Sequence, residues 1–188
     1  MQEQSHDEAK HLCSIVEKAT VEAFLQWDAW SEMEIHSDPD LVWTMTDIPF
    51  PLLNSVLSPQ TPADKLEDRV QGLLDQGRRR SVPMLWWVGS YPQPANIRDY
   101  LLTLGLTPAG SLENMTLDLG NWATGKKARP GVSFEEVVDE KGLGIWAKIT
   151  AEAFDVPPWV QDPLFSANAA PGLGPDKALR HFLAFLDG

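Results

Sequence analysis

Apolar positions recur along this chain in two periods, and the switches between them mark the elements. Leu12, Ile15, Val16, Ala19, Ala23, Trp27 and Trp30 follow helical spacing, which predicts one long amphipathic helix at the start. Ser37-Asp38-Pro39-Asp40 breaks that pattern, and residues 41–48 alternate as a strand does. Residues 54–57 are a second, short strand candidate. Thr61-Pro62-Ala63-Asp64 reads as a helix start, with Thr61 as cap, Pro62 in the first turn and Asp64 at the positive end. Leu66, Val70, Leu73 and Leu74 form the buried stripe of that helix, and Gly77 ends it. Val82-Pro83-Met84-Leu85-Trp86-Trp87-Val88 is a near-continuous apolar run, the pattern of a strand covered on both faces, with Pro83 among its first residues. Pro94 opens a further helix with Ile97, Leu101 and Leu104 inward and Gly105 at its end, and residues 115–119 predict a closing strand.

Residues 120–130, Gly-Asn-Trp-Ala-Thr-Gly-Lys-Lys-Ala-Arg-Pro, form a short basic connector in an acidic chain. They separate an expected first domain, 1–119, from a second, 131–188. In the second, residues 132–138 predict a strand, and Asp139 caps a helix carrying Trp146, Ile149 and Ala153. A Pro-rich stretch, 156–175, a short helix and a terminal apolar strand over 181–186 follow, closed by Asp187-Gly188. Asp-Gly is a strong signal for a two-residue hairpin, because both central positions need positive φ. The returning strand is missing, so the expectation is a strand without a partner and a chain that is the front part of a longer protein. Strands alternating with helices throughout give an α/β (α+β) class with a mixed sheet.

Composition narrows the class. With 43% hydrophobic residues and eight Trp in 188 positions, the chain has ample material for a core. A formal charge of −12 repels phosphates at long range, which argues against nucleic acid or an anionic membrane as partner. The lone Cys13 forms no internal disulfide and suits a reducing compartment. No apolar run approaches the roughly 20 residues that span a bilayer, and the polar, acidic residues 1–10 do not resemble a secretory signal. A cytoplasmic protein without membrane partner is the expectation.

Few residues offer chemistry. Gly142-Leu143-Gly144 lies inside a helical pattern, and Gly172-Leu173-Gly174 follows a Pro/Ala-rich loop, so neither has the strand–glycine–helix context of a phosphate cradle. His36, Asp38 and Asp40 could be drawn as metal ligands or as an acid–base pair. Alternate residues of a Ser/Asp/Pro loop more simply make a solvated turn whose Asp side chains bond their own backbone, and no further ligand lies nearby. Cys13 and His11 are too close in sequence to face each other on a helix. No Gly-x-Ser-x-Gly elbow exists, which sets a hydrolase aside. Arg78-Arg79-Arg80 suits the negative end of a helix dipole. Trp86 and Trp87, followed by Val88-Gly89-Ser90-Tyr91-Pro92-Gln93-Pro94, place two indoles on opposite faces of one strand ahead of a Gly/Pro loop. Such loops border the ligand crevice in α/β sheets, while burial in a core is the preferred account of both Trp.

The set Trp43-Thr44-x-x-x-Ile48-Pro49-Phe50-Pro51-x-x-Asn54-x-Val56-Leu57, then Val82-Pro83-x-x-Trp86-Trp87-Val88-Gly89, Pro94, Leu104-Gly105-Leu106 and Met115-x-Leu117-Asp118-Leu119, carries a resemblance. Over residues 40–119 the chain resembles the N-terminal half of two-domain GNAT-family N-acetyltransferases, and residues 131–188 resemble the opening of a second GNAT domain. The resemblance implies a mixed sheet flanked by helices, with acetyl-CoA bound where two central strands splay and its acetyl group passed directly to an amine. It also implies a loop, Arg/Gln-x-x-Gly-x-Gly/Ala, whose amides hold the CoA pyrophosphate. This sequence departs there: Ser58-Pro59-Gln60-Thr61-Pro62-Ala63 has no glycine, and its two prolines lack N–H donors.

The resemblance therefore implies an acetyl-CoA-dependent enzyme in its full length, with no catalytic or cofactor-binding residue assignable here and no tight acetyl-CoA binding by this chain alone. Its partners would be an amine acceptor, small molecule or peptide, and the missing C-terminal catalytic half. In the family the loop after the first helix of the catalytic domain borders the acceptor. Asp155, Pro157, Pro158 and Trp159 stand in that place, so Trp159 joins Trp86 and Trp87 as a substrate-pocket candidate. The other reading is a non-catalytic GNAT-like module that binds a ligand or partner at the 86–94 crevice.

Overall fold

The computed structural model describes residues 2–57, 59–113, 115–121 and 129–187, and the side chains of 2–6 and 121 are left aside. The proposed connector thus lies largely outside the described residues. Contacts divide the chain into two compact units, Met1–Leu25 with Glu32–Thr116, and Gln26–Ser31 with Leu117–Gly188.

The first unit opens with helix α1, Gln2–Leu25, which stops before Trp27 and Trp30; the expected stripe does not face the core, since Leu12 and Ile15 are exposed and the helix packs instead through Phe24. A hairpin follows, β1 (Glu34–Asp38) and β2 (Leu41–Met45), paired from Glu34↔Met45 to Asp38↔Leu41. Strand β3 (Ser55–Leu57) lies antiparallel to β2, and helix α2 (Leu66–Arg80) crosses over to β4 (Leu85–Trp86), which runs parallel to β3. The result is a mixed sheet in the order β1-β2-β3-β4, followed by helix α3, Ile97–Thr103. The α+β class is therefore observed, although β1 was not legible. Its sequence, Glu-Ile-His-Ser-Asp, has one aliphatic residue, and cross-strand pairing with β2 rather than burial defines it.

Leu41, Trp43, Met45 and Val56 of the sheet pack with Leu73 of α2, while Leu66 and Val70 of α2 pack with Ile97 and Leu101 of α3. Trp86 is partly buried against both clusters. Trp87 instead meets Phe24 of α1 edge-on, centroids 6.2 Å apart, so the two indoles do leave the strand on opposite sides.

Helix α2 starts at Leu66, not near Thr61: Thr61 is buried, and its hydroxyl donates to the Asp40 carbonyl at 3.4 Å. The helix also runs past Gly77 and ends where Ser81 turns left-handed at φ 59°. The apolar run 82–88 yields a two-residue strand on the sheet's outer edge, its residues half-buried rather than covered on both faces. The Val82 N–H is already committed to the Gly77 carbonyl, and Pro83 has no N–H. Residues 115–119 form no strand. Met115, Leu117 and Leu119 are exposed, and a 3-10 turn covers Leu119–Asn121.

In the second unit, β5 (Val132–Glu136) precedes α4 (Glu140–Ala153), and Asp139 caps the helix by accepting the Gly142 N–H at 2.8 Å. Its buried stripe is Leu143, Ala147 and Ala151, so Ile149 faces solvent at 51% exposure and the expected stripe is rotated. The stretch read as a Pro-rich loop holds a 3-10 turn, Pro158–Val160, and helix α5, Gln161–Ala169. The short helix expected after residue 175 does not form: turns and bends lead from there to the last strand, β6 (Phe182–Leu186). That strand is not without a partner: it pairs antiparallel with β5 over five residues, from Val132↔Leu186 to Glu136↔Phe182. Asp187 adopts φ 57° and donates its N–H to the Gly131 carbonyl at 2.7 Å. The 3-10 turn Gln26–Ala29 packs on α5 and contributes the buried Trp27. Among the described residues no helix is long and apolar enough to cross a membrane.

Candidate functional site

The first unit carries a cleft of about 510 Å³ beside the carboxyl ends of β3 and β4, within the size range of small-ligand sites. One wall is a stripe of α1 comprising Lys10, Cys13, Ser14, Glu17, Lys18 and Val21, spaced three and four apart as one helix face requires. The opposite wall is the hairpin tip from Asp38 to Val42. Gln60, Tyr91 and Gln93 close the remaining side, with Gln60 and Gln93 joined by an isolated parallel bridge.

Arg69 of α2 holds the hairpin wall. It donates to Asp40 at 3.1 and 2.6 Å and to Asp38 at 2.8 Å. These bonds hold the Asp40 carboxyl below its ordinary pKa and push that of Arg69 up. Three helical turns further on, Arg80 grips Glu34 at 2.7 and 2.8 Å. Eleven helical residues rise roughly 16 Å, which matches the length of a five-residue strand at about 3.3 Å per residue. Both ends of β1 are thus tied to one helix. Asp38 and Asp40 flank and form the expected turn, where the Asp40 carboxyl also bonds its own backbone, and both are in addition ion-paired with Arg69; Arg80 is a cross-element clamp rather than only a dipole partner. His36 joins neither carboxylate, since its ring stacks on Trp43 with centroids 3.7 Å apart. Among the described residues no group of His, Cys, Asp and Glu could hold a metal ion.

On the α1 wall, Glu17 lies directly over Gly89, where an added Cβ would strike its carboxylate. The carboxylate accepts the Ser90 N–H, and burial pushes its pKa up despite that bond. Sequence reasoning missed Glu17 because a glutamate on a long helix carries no local signal.

Asn54, immediately before β3, is fully buried and uses its whole amide. Its Nδ2 donates to the carbonyls of Ile48 at 2.8 Å and Phe50 at 3.0 Å, and its Oδ1 accepts from Thr46 N–H at 2.8 Å and Thr46 Oγ1 at 3.3 Å. Trp87 joins the same region, its Nε1 donating to Ser55 Oγ at 3.1 Å. Trp86 Nε1 is buried without a hydrogen-bond partner. Neither indole lines the cleft; Tyr91 and Gln93 of the loop that follows them do. Trp159 stands in the second unit on the 3-10 turn after α4, 52% exposed. Gly142 and Gly144 lie inside α4, and Gly172 and Gly174 lie in a loop after α5, so neither pair follows a strand.

The second unit holds one buried titratable group of note. His181 Nε2 lies 3.0 Å from Asn168 Oδ1, while Asn168 Nδ2 donates to the Leu164 carbonyl at 2.7 Å. That second bond orients the amide, so Nε2 carries the proton and Nδ1 is left buried without a partner. Trp146 meets the imidazole edge-on at 4.4 Å, and burial lowers the His181 pKa.

No protein-family profile, curated protein or solved structure matches the chain.

Proposed function

We propose that this chain is the N-terminal part of an acetyl-CoA-dependent N-acetyltransferase that transfers an acetyl group to an amine, with the acetyl-CoA held by a catalytic half these two units do not supply. The observation that carries the reading is the connectivity of the first unit. An antiparallel run β1-β2-β3 is followed by a helical crossover to β4, parallel to β3, and by a further helix. After Val56 and Trp87 the two parallel strands separate, and among the described residues they meet again at Gln60↔Gln93. The resembled family binds acetyl-CoA where two central strands splay; here the parting pair is β3 and the edge strand β4.

The local chemistry argues that the first unit itself holds no pyrophosphate. Pro59 and Pro62 offer no N–H, and the Gln60 N–H is committed to the Asp40 carbonyl at 2.9 Å. The first turn of α2 carries Glu67 and Asp68, which oppose a phosphate at the positive end of that helix. Under this reading Trp159, exposed on the turn after α4, contacts the acceptor.

Calorimetric titration of acetyl-CoA tests the reading, together with the reading frame beyond codon 188. The expected outcome is no binding by residues 1–188, with a strand and a glycine-rich loop encoded downstream, and acetyl transfer by the extended protein. Micromolar binding by residues 1–188 would overturn the assignment of the cofactor to the other half. An extended protein inert toward acetyl-CoA would overturn the enzyme.

The cleft between α1 and the hairpin favours a second reading, a GNAT-like module that binds a ligand without catalysis.

A further inference from the structure

Glu17 stands in the cleft as a partly desolvated carboxylate whose charge is supported by a single donor, the Ser90 N–H, with no lysine or arginine among the groups that hold it. Gly89 leaves room for the carboxylate, whose end would have to shift if a Cβ were added there. A carboxylate removed from water without a counter-cation costs free energy until an opposite charge reaches it.

The other charges of the cleft do not fill that role. Asp40 engages Arg69 with both oxygens and Asp38 with one, so the Arg69 guanidinium is already committed. Lys10 and Lys18 of the α1 wall are exposed, where solvent and salt screen them, and Lys18 lies 4.0 Å from Glu22. An anion entering the cleft would meet Glu17, Asp38 and Asp40 with no uncommitted buried cation. A metal ion would lack ligands, since no suitable group exists among the described residues. Leu41, Val42 and Val21 give the cleft an apolar side, and Gln60 and Gln93 bring neutral amides to it.

We propose that this cleft binds a small organic ammonium ion, its nitrogen paired with Glu17 and its carbon chain lying along Val21 and Val42. The inference rests on the ligand-binding reading and needs no acetyl transfer. Because the cation stabilises the ionised carboxyl, binding and Glu17 deprotonation are linked, and affinity falls as pH drops through the Glu17 midpoint.

The test is titration of putrescine into residues 1–188 at constant ionic strength, followed by NMR at the Ser90 amide and the Glu17 carboxyl carbon, with acetate as the anionic counterpart. The expected result is a saturable Ser90 shift with Kd of about 1 mM and a Glu17 midpoint that moves down when putrescine is present. Glu17→Gln keeps an oxygen for the Ser90 N–H and should weaken binding about tenfold. Asp38→Asn, which leaves Glu17 in place, should weaken it about twofold. If Glu17→Gln does not fold, the Glu17 midpoint of the unaltered chain decides alone. Equal putrescine affinity in Glu17→Gln, or an unmoved Glu17 midpoint, would overturn the proposal. Saturable binding of acetate but not putrescine would overturn the ammonium assignment while leaving a ligand-binding module. Binding of neither would overturn both, and none of these outcomes depends on acetyl-CoA.

Discussion

Arg69 donates to Asp40 through two nitrogens at once, Nε to Oδ2 at 3.1 Å and Nη2 to Oδ1 at 2.6 Å, and so fastens the tip of the first hairpin to α2. Lysine is a point charge that cannot reproduce this fork. Arg69→Lys should therefore cost about 1 kcal/mol, a modest figure because the Arg69 side chain is 36% accessible and that of Asp40 is 20%. Arg69 holds the Asp40 carboxyl below its ordinary pKa, so this stability is complete above the unfolded value of about 3.9. It is lost as pH falls through the depressed folded value. Urea denaturation of both proteins should show a gap that closes in acid, whereas a constant gap would exclude the ionic origin.

Asn54 should be among the least replaceable residues of the first unit. Asn54→Ala leaves the Thr46 N–H and the Ile48 and Phe50 carbonyls without their partner and should cost about 2–4 kcal/mol. Asn54→Asp keeps the shape but turns a carboxylate oxygen toward both carbonyls. It should be more destabilising at neutral pH than at pH values where the new carboxyl is protonated. Denaturation midpoints across pH would refute this if the Asp variant matched the wild type.

Glu17 and Gly89 should couple. Gly89→Ala forces the Glu17 carboxylate off the Ser90 N–H and should cost about 1 kcal/mol. In a Glu17→Ala background the same change should be nearly neutral, because the obstructing carboxylate is gone. A double-mutant cycle measures the difference, and strict additivity would mean the two residues do not meet.

His181 should make the second unit sensitive to acid. Burial lowers its folded pKa from the ordinary 6.5, so the unfolded chain takes up the proton first. Stability is complete above about pH 6.5 and falls as pH drops from there toward the depressed folded value. Hydrogen exchange at β6 and α5 should accelerate across that window. His181→Gln, which can still donate to Asn168, should remove this acid dependence while keeping the strand in place, and a variant with unchanged acid dependence would assign the effect to another group.

Much of the fold was legible wherever one face of an element is buried. The strand of Trp43, the stripe Leu66, Val70 and Leu73, and the Asp139 cap all follow from spacing or local hydrogen bonding. The errors fall where non-local contacts decide. Polar β1 becomes a strand because β2 pairs with it, and the alternating residues 115–119 do not become one because no described strand accepts them. The run around Trp86 and Trp87 ends as a short edge strand because the Val82 N–H is used by Gly77.

The sequence by itself determined the mixed α+β class, most helix positions, and the absence of a glycine-bearing phosphate loop after β3, because periodicity and donor inventory are local properties. Only the tertiary structure decided what the charges do. It brought Arg69 to Asp38 and Asp40, Arg80 to Glu34, and Glu17 to Gly89 and Ser90. It also gave β6 its partner, β5, from about fifty residues upstream. Such pairings join residues distant in the chain, so no local pattern encodes them, and the candidate site is made almost entirely of them.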